Sequence, residues 1–213
     1  MKKLLREILL LLFVCIPLGL LYTSWASIPD TIPVHYGLTG KADRFGSKEI
    51  LLWLLPVVLV LMYSLLALVP FIDPKKRITN TQGSFYSVRL AVMMFISIVF
   101  ISYLLSLTGN WNFSNSIPLL MMAFITVVGN YLPVVKPNYF IGIRTPWTLE
   151  NEQVWAKTHR FCGRLWVAAG VSGFVTGIIW PSLPLAIYIG TIVLLVIVSV
   201  AYSYMVYRNQ LVR

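Results

Sequence analysis

The chain has 213 residues, of which 58% are hydrophobic and only 11% charged, far more apolar sequence than a water-soluble core of that size absorbs. Its formal net charge of +10 comes from Lys and Arg placed between apolar runs, which argues against direct nucleic-acid binding and for membrane topology. Cys15 and Cys162 are far apart in sequence and imply no disulfide framework.

In chain order, apolar runs predict six spans at about 4–26, 50–72, 90–107, 117–135, 165–180 and 185–207. Their lengths fit the roughly 20 residues that a helix needs to cross about 30 Å of hydrocarbon. Lys2, Lys3 and Arg6 before the first run and Ser24-Trp25-Ala26 after it have the outline of a secretory signal. The core of that run, 8–22, is long for a signal, so a retained first span is expected. Pro181 and Pro184 divide the last two runs into a tight hairpin of spans. The fold class is therefore an all-α, polytopic transmembrane bundle in two regions. Residues 1–89 carry two spans, an ordered extracellular loop (27–49) and a basic cytoplasmic loop (73–89); residues 90–213 carry four spans and a cytoplasmic segment (136–164).

Counting Lys and Arg in the connections sets the orientation, because basic loops stay on the cytoplasmic side. With the N-terminus inside, Lys2, Lys3, Arg6, Lys75, Lys76, Arg77, Arg89, Lys136, Arg144, Lys157, Arg160, Arg164, Arg208 and Arg213 lie inside. Only Lys41, Arg44 and Lys48 lie outside, so both termini are expected in the cytoplasm. In the fifth span Ala169, Gly170, Gly173 and Gly177 form overlapping small-x-x-x-small pairs, a packing seam within the bundle or between copies in a homo-oligomer.

Two connections are chemically distinctive. In the outer one, Pro29 and Pro33 keep the chain extended, Gly37, Gly40 and Gly46 permit turns, and Ser47 is placed to cap the second span. His35, Tyr36, Asp43, Arg44 and Lys48 are its candidate ligand-binding residues. The plainer alternative is that Asp43 closes a turn, Arg44 and Lys48 reach for headgroups and His35 fills the loop core. One histidine with one carboxylate is too few for a structural metal, and no Ser or Cys nucleophile sits beside a base, so no metal, cofactor or catalytic residue is expected.

In the inner segment Thr148 is placed to cap a helix whose first turn holds Glu150 and Glu152, with Lys157, Arg160 and Arg164 further along. Leu149, Trp155, Cys162 and Trp166 form one lipid-facing or bundle-facing apolar stripe on it, with the charged groups turned to water as in an interfacial helix. The sharper reading makes Asn138, Gly142, Arg144, Thr145, Pro146, Trp147, Thr148, Trp155 and His159 a partner-docking face or a gate. His159 and Glu152 share a face but stand two turns apart, about 10 Å along the axis, too far for a catalytic pair.

Residues 32–48, reading IPVHYGLTGKADRFGSK, and 138–149, reading NYFIGIRTPWTL and followed by Trp155, His159 and Gly163, resemble the paired signatures of the SdpI family. These membrane proteins are named for immunity to the sporulation-delaying-protein toxin of bacilli. The resemblance implies a non-enzymatic, multi-pass protein of the bacterial plasma membrane that protects its producer from a secreted peptide toxin. It further implies a second role, holding a small cytoplasmic winged-helix repressor at the membrane. The alternative is a transporter or channel for a peptide or small solute; only Arg6 and Glu7 fall inside a predicted span, and Asn130 before Pro133 is the most suggestive interruption.

Overall fold

The computed structural model describes residues 2–74, 82–109 and 111–211. Lys75, Lys76 and Arg77 of the expected basic loop, and the terminal Arg213, lie outside the described residues. Among those described, the order is α1 (Lys2–Ser24), β1 (Thr31–Tyr36), β2 (Ala42–Ser47), α2 (Ile50–Ile72), α3 (Gln82–Leu107), α4 (Phe113–Tyr131), α5 (Pro146–Glu150), α6 (Glu152–Ile179) and α7 (Leu185–Leu211). All of the helices except the five-residue α5 are long and apolar enough to cross a membrane. The chain is a multi-pass membrane protein built as a helical bundle.

Helices α1, α2 and α3 enclose one apolar core, in which Leu10, Leu55, Leu59, Met93 and Leu104 are almost fully buried. The second half is organised by α4 against α6. A Cβ added to Gly163 would lie 2.7 Å from the Gly129 carbonyl oxygen, one on Gly173 would lie 2.6 Å from Met122 Sδ, and one on Gly177 would lie 2.8 Å from Leu119 Cδ2. Gly170 faces Thr126 and Met122 in the same way. The glycines thus let two helix backbones approach within the chain, while Ala169 is half-buried beside their line. Large apolar side chains such as Val60, Leu61, Val175, Ile178, Leu194 and Ile197 point outward, where lipid is their solvent.

Four local expectations are corrected. The 27–49 loop, expected as an ordered loop of extended chain and glycine turns without strands, holds an antiparallel hairpin, because Thr31, Ile32 and Val34 favour extended backbone and Gly40, at φ +83°, supplies the left-handed turn residue. Ser47 does not cap α2; the N-cap is Glu49, without a side-chain hydrogen bond. Thr148 does not start the helix ahead of Glu152. Thr145 caps α5, and Asn151 Oδ1 caps α6 by accepting from Gln153 and Val154 N–H at 2.9 and 3.1 Å. Finally, the charged stretch from Glu152 to Arg164 is not a helix apart from the fifth span, since α6 runs unbroken from Glu152 and buries Val154, Trp155, Thr158, His159 and Cys162 inside the bundle.

Candidate functional site

The two distinctive segments sit at opposite ends of the bundle. At one end, the hairpin is seated on the helices by contacts to several of them. Ile28 and Ile32 are buried beneath it, and Lys48 Nζ, 2.9 Å from Asp30 and 5.1 Å from the Trp25 ring, donates to the Ile28 carbonyl. Lys48 is therefore a structural clasp at the base of the hairpin instead of a snorkelling cation. Tyr103 of α3 donates its hydroxyl to the Pro33 carbonyl at 2.5 Å, Phe113 of α4 packs edge-on between Tyr36 and Tyr103, and the Ala186 N–H of α7 donates to Leu38 at the tip.

His35 and Asp43 meet across the hairpin, with His35 Nδ1 and Asp43 Oδ1 2.6 Å apart. That hydrogen bond, with added attraction from His35 and Arg44, holds the Asp43 carboxyl below its ordinary range. Burial raises the Tyr36 phenol above its ordinary value. Arg44, Phe45, Val34 and Leu38 face outward, and a cleft of about 360 Å³ lies between Pro33, Tyr36, Trp111 and Phe113. The exposed surface is thus mixed, with the His35–Asp43 pair and Arg44 among apolar side chains.

The segment at the other end is knitted to the helices around it. Asn138 is buried with its amide fully used: Oδ1 accepts from Phe140 and Ile141 N–H at 2.8 Å, and Nδ2 donates to the Lys136 and Ile141 carbonyls. His159 stacks on Trp155 at 3.9 Å, its Nε2 accepts from Ile143 N–H at 3.0 Å and its Nδ1 lies 2.9 Å from the Trp155 carbonyl. A ring nitrogen that accepts from an N–H carries no proton, so the imidazole is the neutral Nδ1–H tautomer. Gly142, at φ +114°, lies so close to that ring and to Trp155 that no Cβ fits.

Thr145 and Thr148 form a reciprocal capping box, and Pro146 occupies the first turn of α5. Trp147 Nε1 donates to Ser203 of α7 at 2.8 Å while its ring packs on Tyr204 and Tyr207. Trp155 Nε1 donates to the Val135 carbonyl at 2.8 Å. Arg144, whose guanidinium donates to the Tyr139 carbonyl, is exposed, as are Lys136 and Tyr139. Asn138, Thr145, Thr148, Trp155 and His159 are buried in the interior. Asn130 is exposed.

At this same end an ionic cluster joins the first three helices. Arg89 donates to both Glu7 carboxylate oxygens, at 2.8 and 3.0 Å, and the Tyr63 hydroxyl donates to Glu7 Oε2 at 3.0 Å. Arg6 stacks over the Tyr86 ring at 4.8 Å. Sequence reading places Arg89 in the loop before the third span; it lies instead within α3, where pairing with Glu7 makes its burial tolerable.

Residues 134–206 match the SdpI/YfhL protein family, and residues 12–60 match a domain of unknown function, DUF1648. The chain is also 25% identical over 208 residues to the Immunity protein SdpI of Bacillus subtilis, covering 96% of this chain and 97% of that protein. The chain is thus similar to the SdpI/YfhL family over its last third and to one Immunity protein SdpI over nearly its whole length. A stretch of 35 residues is 49% identical to an uncharacterized protein of Archaeoglobus fulgidus, covering 16% of this chain and 19% of that protein. No solved structure matches it.

Placed on the fold, the SdpI/YfhL match takes in the 136–151 segment, α6 and most of α7. The other match takes in the hairpin with the parts of α1 and α2 that carry it. Sequence reading missed Gly129, Ser199 and Ser203, whose roles exist only through their partners Gly163, Trp166 and Trp147. For Glu7 and Arg89 the signal was present: two opposite charges at the borders of apolar runs.

Proposed function

We propose that this chain is a bacterial membrane immunity protein that protects its producer from a secreted antimicrobial peptide. The observation that carries this reading is similarity along nearly the whole length of both chains to the Immunity protein SdpI. In this reading the hairpin lies outside, both termini lie in the cytoplasm, and the peptide engages the surface around His35, Asp43, Arg44 and Phe45. Such a mixed surface suits an amphipathic peptide, with apolar contacts for affinity and charges for orientation.

The 136–151 segment, with Lys136, Tyr139 and Arg144 exposed, is then the cytoplasmic surface on which a small winged-helix repressor docks. For toxin to increase repressor capture tenfold, the two sites need about 1.4 kcal/mol of coupling. The packed core between them is the physical medium for it.

The test is expression of the chain in a sensitive bacterium challenged with its cognate peptide. Survival above the empty-vector control is expected, and unchanged killing rejects the reading. Orientation is tested separately in a Cys15→Ser, Cys162→Ser background with an impermeant thiol reagent on intact cells. Thr39→Cys should react and Asn151→Cys should not; the reverse pattern overturns the topology.

A further inference from the structure

A cavity of about 310 Å³ lies between the two halves of the bundle at the end that carries the 136–151 segment. Leu66 of α2, Val92 of α3, Phe124 and Val128 of α4, and Phe140 and Ile143 of the segment form much of its wall. Its size is at the low end of ligand pockets, about 300–1,000 Å³, but such pockets normally add a few convergent polar groups to an apolar lining. Here the lining side chains are almost all aliphatic or aromatic. The Trp166 indole N–H at its edge already donates to Ser199. An apolar slot between membrane helices is suited to a hydrocarbon chain rather than to a hydrated solute.

Charge stands next to two of the lining residues. Val135 and Ile143 both line the cavity, and the next residue in each case is an exposed cation, Lys136 and Arg144. Asn138 fixes this stretch by holding the Lys136 carbonyl, and His159 fixes it by accepting from Ile143 N–H. The Arg144 guanidinium uses one nitrogen on the Tyr139 carbonyl and has further N–H groups to offer. An apolar slot whose wall residues Val135 and Ile143 are each followed by an exposed cation, at the end of a transmembrane bundle, is complementary to an anionic lipid.

We propose that this cavity takes one acyl chain of an anionic phospholipid whose phosphate is held by Lys136 and Arg144. The inference stands apart from toxin protection and does not require it. An occupied slot would pack against Phe140 and Ile143 and so stiffen the backbone that presents Arg144.

The test uses the full chain in detergent micelles carrying a phosphatidylglycerol with a photoreactive diazirine on one acyl chain. Adducts should concentrate on residues 124–128 and 140–143, and unlabelled phosphatidylglycerol should compete at least about tenfold better than phosphatidylcholine, since each surface cation contributes several-fold to anionic lipid binding. Lys136→Gln with Arg144→Gln should remove that preference. Val128→Trp should abolish the adducts by filling the slot, with Ala91→Leu as a milder filler should the first variant fail to fold. Adducts spread evenly over the exposed faces of α2 and α7 would overturn the proposal. So would equal competition by the two lipids, or an unchanged preference in the double variant.

Discussion

Arg89 of α3 grips Glu7 of α1 through two hydrogen bonds of 2.8 and 3.0 Å, with the arginine side chain 11% exposed and the glutamate 32%. Removing one member of a fully buried pair costs about 3 kcal/mol or more, and less where the survivor is partly exposed and keeps another partner, as Glu7 keeps the Tyr63 hydroxyl. The exposures make the two losses unequal. Glu7→Gln strands the more buried guanidinium and should lower thermal stability more than Arg89→Gln, which leaves the better hydrated carboxylate. The double variant should cost less than the sum of the singles. Melting the three variants in one detergent checks this, and strictly additive losses would show that the pair is not coupled.

The α4–α6 seam makes a sharper steric prediction. Gly163→Ala forces a methyl group to 2.7 Å from the Gly129 carbonyl oxygen and 2.8 Å from the Pro133 ring, so backbone must move. Overpacking of this kind costs about 1–3 kcal/mol. Gly190 of α7 has nothing within 4 Å of a built Cβ, and Gly190→Ala should be neutral or gain about 0.5–1 kcal/mol from helix propensity. Equal melting temperatures for the two variants would contradict the seam.

The spans were legible because the bilayer sets their length and composition, and a soluble core has little use for unbroken apolar runs of about twenty residues. What escaped were features fixed by distant partners. Arg89 borders an apolar run that begins at Leu90 and so reads as loop; it lies within α3, where Glu7, 82 residues away, pairs with it. The start of α6 was hidden because Glu152, Lys157, Arg160 and Arg164 give it an interfacial look, while Trp155, His159 and Cys162 are buried on its other side. In the inner segment the residue types were visible, but their partners, the Val135 carbonyl, the Ile143 N–H and Ser203, were not.

Those partners give His159 a role that substitutions can separate. His159→Ala leaves the Ile143 N–H without its acceptor and removes the ring stacked on Trp155. A buried unsatisfied donor alone costs about 1–3 kcal/mol. His159→Gln retains a carbonyl oxygen in reach of the segment and should recover part of that loss. Gly142→Ala should be as harmful as His159→Ala, because its φ of +114° disfavours a side chain and the new methyl group meets the same imidazole. Tryptophan fluorescence and melting in detergent report both effects. Wild-type stability in Gly142→Ala would show that the segment does not rest on this contact.

At the other end, acid should loosen the hairpin, and Asp43 sets the sign. Its folded-state pKa is depressed, chiefly by the hydrogen bond with His35, below the unfolded value near 3.9. A group of that kind contributes stability that is fully present above the unfolded pKa and is lost as pH falls through the folded one. Amide hydrogen exchange of residues 31–47 should therefore show an Asp43-dependent loss of protection only below about pH 4. Asp43→Asn cannot ionise, so it should start from weaker protection at neutral pH and lack that acid step. An acid step of equal size in the variant would assign the transition to another group and remove Asp43 from the clasp that holds β1 to β2.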